Sequence, residues 1–289
     1  MLGWLIYNEE DIEKNRRYID FYFEESKALD INIELINTYD LAYGIKDNKH
    51  YITYKNQTIK KPDFCIVRCI NPLLSKQLEY LNIPVFNNSF VSEICNDKAK
   101  TYQYVGKLGI KMVDSSFYKG SRIPELIPKL TKATVIKSVS GHGGSEVFLL
   151  ANNSDLEYET MSSILKEKDV VLQPLTGSRR EDLRVYVLGN QILAAILRKG
   201  KDGFKSNFSL GGEVKEYHLN EKERSIVNQI ISLFDFSLVG IDFIIGDEGE
   251  LIFNEIEDVV GARMLYQCTN INLVNLYLNY IRNKLQQVD

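Results

Sequence analysis

The sequence predicts an α/β (α+β) chain of two or three domains, and three observations predict it. The first ninety or so of its 289 residues alternate strand-like with helix-like segments, the pattern of a parallel sheet flanked by helices. From residue 169 onward strand signals dominate instead, up to a hairpin that carries three carboxylates. A composition of 44% hydrophobic and 26% charged residues is that of a globular chain, long enough for a large core or several small ones.

Residues 2–7 read as a strand, 10–29 as an amphipathic helix, and 31–36 and 63–70 as further strands. Asn71-Pro72 opens a helix to residue 81, and 83–86 form a short strand before the polar loop Asn87-Asn88-Ser89. A small first domain, residues 1–90, ends there. The next helix, 92–108, stops at Gly109, and strands at 134–137 and 147–150 flank a glycine-rich loop. Strands at 170–175, 177–188 and 192–197 lead to the hairpin, whose arms are 236–245 and 251–257. An amphipathic helix over 271–285 closes the chain, and no internal repeat or low-complexity tract interrupts it.

A net charge of -4 and a pI near 5.6 give no electrostatic footprint for duplex nucleic acid, so no nucleic-acid partner is expected. Four cysteines stand without the paired spacing of a zinc site, and no secretory leader or long apolar span is present. The expectation is a reduced, cytoplasmic protein with no membrane partner. Cys65 and Cys69 fall in an apolar run and read as buried thiols that act as small hydrophobes.

The chemistry starts from Asp242, a charge inside the apolar run Val239-Gly-Ile-Asp-Phe-Ile244, where it needs a partner. With a two-residue loop at Asp247-Glu248, Asp242 lies opposite Phe253, and a pleat of period two puts 253, 255 and 257 on its face. Asp242, Glu255 and Glu257 then converge. Carboxylates so gathered repel one another unless a cation sits between them, and hard oxygen donors suit magnesium carrying nucleotide phosphates. An isolated E-x-E would read as a solvated rim; the buried Asp242 argues against that.

Lys137 stands at a strand end before the small-residue loop Ser140, Gly141, Gly143, Gly144 and Ser145. Glycines let backbone N–H groups approach phosphate oxygens, and the lysine adds positive charge. The spacing matches neither a P-loop nor G-x-G-x-x-G, because Glu146 stands where the last glycine would be, so an ordinary glycine-rich hairpin is an equal reading. His142 has no second histidine or cysteine placed to work with it and is given no chemical role. Gln173-Pro174-Leu175 ends a strand at an exposed edge, which offers backbone groups to an adenine ring. Asp182 and Arg184 share a strand face, with a surface ion pair the plainer reading of Arg184. Arg198, Lys199, Lys201 and Lys205, followed by Ser206 and Asn207, make a basic run in an acidic chain that would suit a metal-bound triphosphate.

In this order the pieces resemble the ATP-grasp ligases, most closely the RimK-like and glutathione-synthetase-like carboxylate–amine ligases, over roughly residues 85–260. The resemblance implies an ATP-grasp fold behind a small Rossmann-like α/β domain, with a lid and central subdomain over 91–175 and a metal-bearing subdomain over 176–289. It implies that Lys98, Lys137 and the loop from Ser140 to Ser145 hold ATP phosphates, and that Gln173, Pro174 and Leu175 form the adenine hinge. Asp182 contacts the nucleotide, Arg198 neutralises the transferred phosphate, and Lys205, Ser206 and Asn207 resemble the R-S-N that follows. Arg184 and Arg263 fall to the substrate, and Asp242, Glu255 and Glu257 to Mg2+, with Mn2+ as an alternative. The chain departs from the usual E-x-N at Glu257 and from the Ser-Pro-Gly turn at 258–263; Arg263 there reads equally as a carboxylate clamp or a solvent-facing arginine at a helix start.

The implied reaction is ADP-forming. A carboxylate takes the γ-phosphoryl group of ATP to give an acyl phosphate, and an amine displaces phosphate to give an amide or peptide bond, so the partners are small-molecule or peptide carboxylates and amines. Alternatives are a ligase acting on a ribosomal peptide or protein tail, and a nucleotide-binding module without turnover. A homo-oligomer is compatible with the resemblance.

Overall fold

A computed structural model describes residues 1–144, 146–150, 155–200 and 213–287. At the amino end the strands Asn32–Asn37, Leu2–Tyr7, Phe64–Val67 and Val85–Phe86 lie side by side in that order, and every pairing is parallel. Parallel neighbours need a crossover. The helices Glu9–Lys14 and Arg16–Lys27 provide the first and Pro72–Tyr80 the last. The single helix predicted over 10–29 is two, because Asn15, at φ -109° and ψ 13°, leaves helical geometry between them. Residues 41–58, to which the sequence reading assigns nothing, form three antiparallel strands, Leu41–Lys46, Lys49–Tyr54 and Gln57–Thr58. Their turns are the pairs Asp47-Asn48 and Lys55-Asn56, all four with φ between 50° and 59°, as two-residue hairpin turns of this hand require.

A second sheet orders Val147–Leu150, Thr134–Ser138, Asp169–Pro174 and Ser116–Lys119, all antiparallel. It buries Ile136, Leu150, Val170 and Leu172 against Met161 and Leu165 of the helix Asp155–Leu165. The helix predicted over 92–108 is also two, Ser89–Cys95 and Lys98–Val105. Asp97 caps the second by accepting from the Lys100 N–H, and Gly109, at φ 65°, ends the following turn as expected.

The largest sheet is a five-stranded antiparallel one, in the order Glu213–Tyr217, Gln191–Lys199, Glu181–Leu188, Leu238–Ile245, Leu251–Glu257. Alternation along these strands sends Leu183, Val185, Ile241, Phe243 and Phe253 into a core under the helices Ser89–Cys95, Lys98–Val105 and Glu221–Ile231. That last helix is overlooked by a reading in which strands run on to the hairpin. It starts with a reciprocal cap between Asn220 and Glu223 and buries Val227, Ile230 and Ile231. The opposite face is apolar at one end, where Tyr186, Leu188, Ala194 and Ile196 share a core with Leu5, Tyr22 and the closing helix Leu273–Gln286. At the other end of the same face the alternating positions are Asp182, Arg184, Arg198 and Asp242. This division positions the site: the amino-terminal layer covers the apolar half and leaves the charged half to a cleft. No described helix is long and apolar enough to cross a membrane.

Gly3 lies where a Cβ would stand 2.3 Å from the ring of the fully buried Phe64. Gly3→Ala is therefore expected to cost about 1–3 kcal/mol through overpacking, read as a lower urea midpoint with an unchanged slope.

Candidate active site

The carboxylate hairpin is built differently from the two-residue turn that the sequence suggests. Ile245 pairs with Leu251, and the Gly246 N–H donates to the Glu250 carbonyl at 2.9 Å, so the loop spans 246–250 and the register slips by one. A one-residue slip alone would move every side chain to the other face. A bulge next to Asp242 restores it: Phe253 pairs with Phe243, Asn254 is the extra residue, and Asp242 faces Glu255 while Gly240 faces Glu257. The three acids thus converge as expected, with ligand oxygens all within 4.8 Å of one another. Phe253 does not share their face; it is buried in the core on the other side.

Asp242 is paired through both oxygens. Arg184, directly opposite on the neighbouring strand, grips it with Nε at 2.8 Å and Nη2 at 2.7 Å, and Arg198 Nη2 reaches it at 2.8 Å. Arg184 Nη2 also lies 2.7 Å from Glu257, and Arg198 Nε bonds Asp182. The plainer reading of Arg184, as a surface pair, does not hold, since it is 6% exposed. Burial opposes charge on Asp242, but Arg184 and Arg198 outweigh it and hold the carboxyl at about 2. Asp182 goes the other way: burial, with repulsion from Asp242, pushes it up to about 7 despite Arg198. Burial also raises Glu257, with Asp242 and Glu255 adding to it against Arg184.

Two lysines close the cluster. Lys98 Nζ donates to the Gly141 carbonyl at 2.5 Å and lies 3.5 Å from Glu255, while its backbone N–H donates to Val139. The start of the helix Lys98–Val105 thereby anchors the glycine loop. Lys137 Nζ donates to Asn254 Oδ1 at 3.1 Å, and desolvation lowers its pKa to about 8, with Lys98 contributing and Glu255 opposing. Asn254 is a residue that sequence reasoning missed, because in an E-x-E pattern it reads as a spacer; only the bulge turns it toward the cleft. His142 lies with Lys98, Glu255 and Glu257 around a cavity of about 20 Å³, so the loop brings to the cluster a residue to which sequence reasoning assigns no chemical role.

Beyond the lysines opens a cavity of about 510 Å³. Its walls include Val113, Val135, Val147, Leu149 and Ile244, and its polar end Lys137, Asp182, Asn254 and Glu255. Gly141, Gly143, Gly144, Gln173, Pro174 and Leu175 border it. The Gln173 side chain, however, turns inward and donates to Tyr102 Oη at 2.7 Å and Ser115 Oγ at 2.9 Å, and the Leu175 N–H is already bonded to the Ala133 carbonyl. Thr176, Arg180 and Glu181 also line the cavity and were not singled out from the sequence. Ser140 is exposed at the loop, and Arg263 is exposed at the first position of the helix Arg263–Cys268. Ser145, Lys201, Lys205, Ser206 and Asn207 lie outside the described residues.

The donor set fits a hard divalent cation. Asp242 accepts three charge-assisted bonds of the roughly four that two carboxylate oxygens offer, Glu257 accepts one, and Glu255 has only the long Lys98 contact. An apolar slot that ends in two lysines, an amide and these acids fits a nucleoside triphosphate.

Residues 95–281 match the model of the RimK-like ATP-grasp domain. A probable alpha-L-glutamate ligase of Vibrio vulnificus is 25% identical over 259 residues, 86% of each chain. Among solved structures, the VanG D-Ala:D-Ser ligase of Enterococcus faecalis aligns with a TM-score of 0.74 at 17% identity, covering 97% of this chain and 98% of the other. The ATP-grasp ligase PsnB complexed with minimal precursor aligns at 0.69 and 15%, covering 97% and 98%. At these identities the structural likenesses establish the fold.

The ion pairs separate stability from chemistry. Asp242→Asn leaves two buried guanidiniums short of a partner and is expected to cost about 3–5 kcal/mol; Glu255→Gln, losing one long and partly exposed contact, about 1 kcal/mol or less. Denaturant titration of the two variants measures the contrast. Lys137 adds a pH dependence of definite sign. Its folded pKa lies near 8 and its unfolded one near 10.5, so over that window the unfolded chain binds more protons and stability rises with pH. Lys137→Met is expected to melt above the wild type at pH 7, with the gap closing as the pH passes 10.

Proposed function

The chain belongs to the RimK-like ATP-grasp family and is an ADP-forming ligase that joins a carboxylate to an amine; we propose that the cleft between the glycine loop and the five-stranded sheet is where it does so. The observation that carries this is the continuity of the 510 Å³ apolar slot with the cluster of four acids and four bases at its end. Adenine sits against Val135, Val147, Leu149 and Ile244, and the phosphates extend toward Lys98 and Lys137. Because the Gln173 side chain is held inside the protein, the hinge contribution falls to backbone groups of 173–176, and Glu181 joins Asp182 near the sugar.

Asp242, Glu255 and Glu257 would hold Mg2+, which when bound draws charge from the phosphate oxygens and orients them. Arg198 stands where charge develops on the transferred phosphoryl group, and Asp182 and Asp242 fix its guanidinium without a rotameric search. Lys137, held by Asn254, neutralises a second oxygen. Lys98 anchors the loop through the Gly141 carbonyl, so the cation under the phosphates also keeps water from the acyl phosphate. No protein nucleophile is required.

The relative named as a probable alpha-L-glutamate ligase supports an α-amino acid as one of the two substrates. PsnB, complexed with minimal precursor, supports a second reading in which a ribosomal peptide is modified. Mass spectrometry of products from ATP with pooled amino acids and peptides separates the two. Glu255→Ala is expected to lower ADP release about 10²-fold or more while the fold is kept; near-wild-type turnover in that variant would sink the site assignment.

A further inference from the structure

Residues 41–61 carry five lysines, Lys46, Lys49, Lys55, Lys60 and Lys61, against one acid, Asp47, in a chain of net charge -4. All five are exposed, and the one ion pair that any of them makes among the described residues is a 4.0 Å approach of Lys55 to Asp40. Lys46 and Lys49 face each other across the hairpin of Leu41–Lys46 with Lys49–Tyr54. On the same face the Tyr51 ring lies over Gly44, 3.5 Å from the place of an absent Cβ. The other face is covered: Leu41, Tyr43, Ile52 and Tyr54 pack on the core that includes Trp4, Ile6 and Cys65 of the parallel sheet.

Leu41–Lys46 is an edge strand, paired among the described residues with Lys49–Tyr54 alone. The Lys55 N–H donates to the Asp40 carbonyl at 2.9 Å, and hydrogen-bonded pairs alternate along an antiparallel ladder. Residues 42, 44 and 46 therefore bond inward, and the N–H and C=O groups of Tyr43 and Ile45 point away from the sheet. Gln77 Nε2 donates to the Gly44 and Tyr51 carbonyls at 2.8 and 2.9 Å, which seats the helix Pro72–Tyr80 against this strand. Leu73, one turn before Gln77 on the same helix face, is 70% exposed, and Ile45 is 67% exposed. A lysine on an edge strand by itself reads as protection against pairing. Two large exposed aliphatic side chains beside outward-pointing backbone groups work against that protection and suit an edge that is used.

We infer that the edge strand Leu41–Lys46 docks an extended acidic segment of a polypeptide partner, which joins this sheet as a further strand. Its backbone pairs with Tyr43 and Ile45. Its side chains alternate between the two faces of the sheet, acidic ones toward Lys46 and Lys49 and apolar ones toward Ile45 and Leu73. Positive charge on one face and aliphatic surface on the other thus select a peptide in which acids and apolar residues take turns. None of these residues lines the nucleotide cleft, so the inference stands apart from the ligase reading.

The test uses the full chain and a fluorescein-labelled peptide of alternating Glu and Val, with fluorescence anisotropy as the readout at low ionic strength. The wild type is expected to bind this peptide, and to bind the Gln-for-Glu analogue about tenfold more weakly or less. Lys46→Glu combined with Lys49→Glu reverses two exposed charges and is expected to weaken binding about tenfold with the wild-type melting temperature kept. Leu73→Ser, on the apolar side, is expected to weaken it as well. Lys222→Glu, the same reversal on the helix Glu221–Ile231, is expected to leave it unchanged. A wild type that ignores the acidic peptide, a neutral analogue that binds as tightly, or a double reversal that binds like the wild type overturns the proposal. Failure of the ligase reading shows separately, as no ADP release with any acid and amine, and leaves the peptide result standing.

Discussion

The bidentate pair of Arg184 with Asp242 is the interaction on which the rest of the cleft depends. A carboxylate in the middle of an apolar strand is prohibitive alone, and this one is tolerated because the adjacent strand presents a guanidinium at the same level of the ladder. From that pair the other charges follow in sequence. Arg198 joins Asp242 and must then be balanced by Asp182, while Arg184 reaches on to Glu257. Asp242, Arg184 and Arg198 are each held by two neighbours, which fixes rotamers in advance and is the condition for stabilising a charge that appears only during reaction. Such a network is weak evidence for stability; its value lies in preorganisation.

With Lys98 and Lys137 the cluster holds four acids and four bases, so its charge is close to balanced before any nucleotide arrives. A triphosphate brought to a balanced site is a large excess of negative charge in a poorly solvated place. Divalent cations entering with it would remove that excess, which is a physical reason to expect metal with the nucleotide that does not depend on family likeness. Lys137 has the same logic on a smaller scale. Held below its usual pKa by desolvation, it is costly to charge in the empty cleft and favourable to charge beside a phosphate, so part of the stability lost there returns as binding.

Much of this was legible in the sequence, for identifiable reasons. Period-two alternation gave the strands, and a charge inside an apolar run gave Asp242. The order of Lys98, Lys137, the glycine loop, Arg198 and the three acids gave the family. What failed was whatever depends on single-residue offsets. The hairpin register was misread because a five-residue loop and a bulge at Asn254 cannot be counted from propensities, and the acids kept their shared face only because two slips cancelled. The hairpins over 41–58 were missed because their turns use Asp-Asn and Lys-Asn, not glycine, at positive φ. The helix Glu221–Ile231 was missed although Asn220 and Glu223 mark its start.

Glu257 is where the chain departs from the E-x-N pattern it otherwise resembles, and its surroundings explain how the extra charge is borne. An asparagine there would leave Arg184 with one carboxylate; a glutamate gives the guanidinium a second, at 2.7 Å. The added negative charge is thus answered within the protein, by the same nitrogen that holds Asp242. One oxygen of Glu257 faces an arginine, so the oxygens of Glu255, whose one ion-pair contact among the described residues is the 3.5 Å approach of Lys98, are the least committed in the cluster. On the metal assignment proposed above, a cation would meet Glu255 as its least committed ligand, Asp242 as a partly engaged one, and Glu257 as one that must share with Arg184. The substitution therefore strengthens the hold on Arg184 more than it strengthens the metal site.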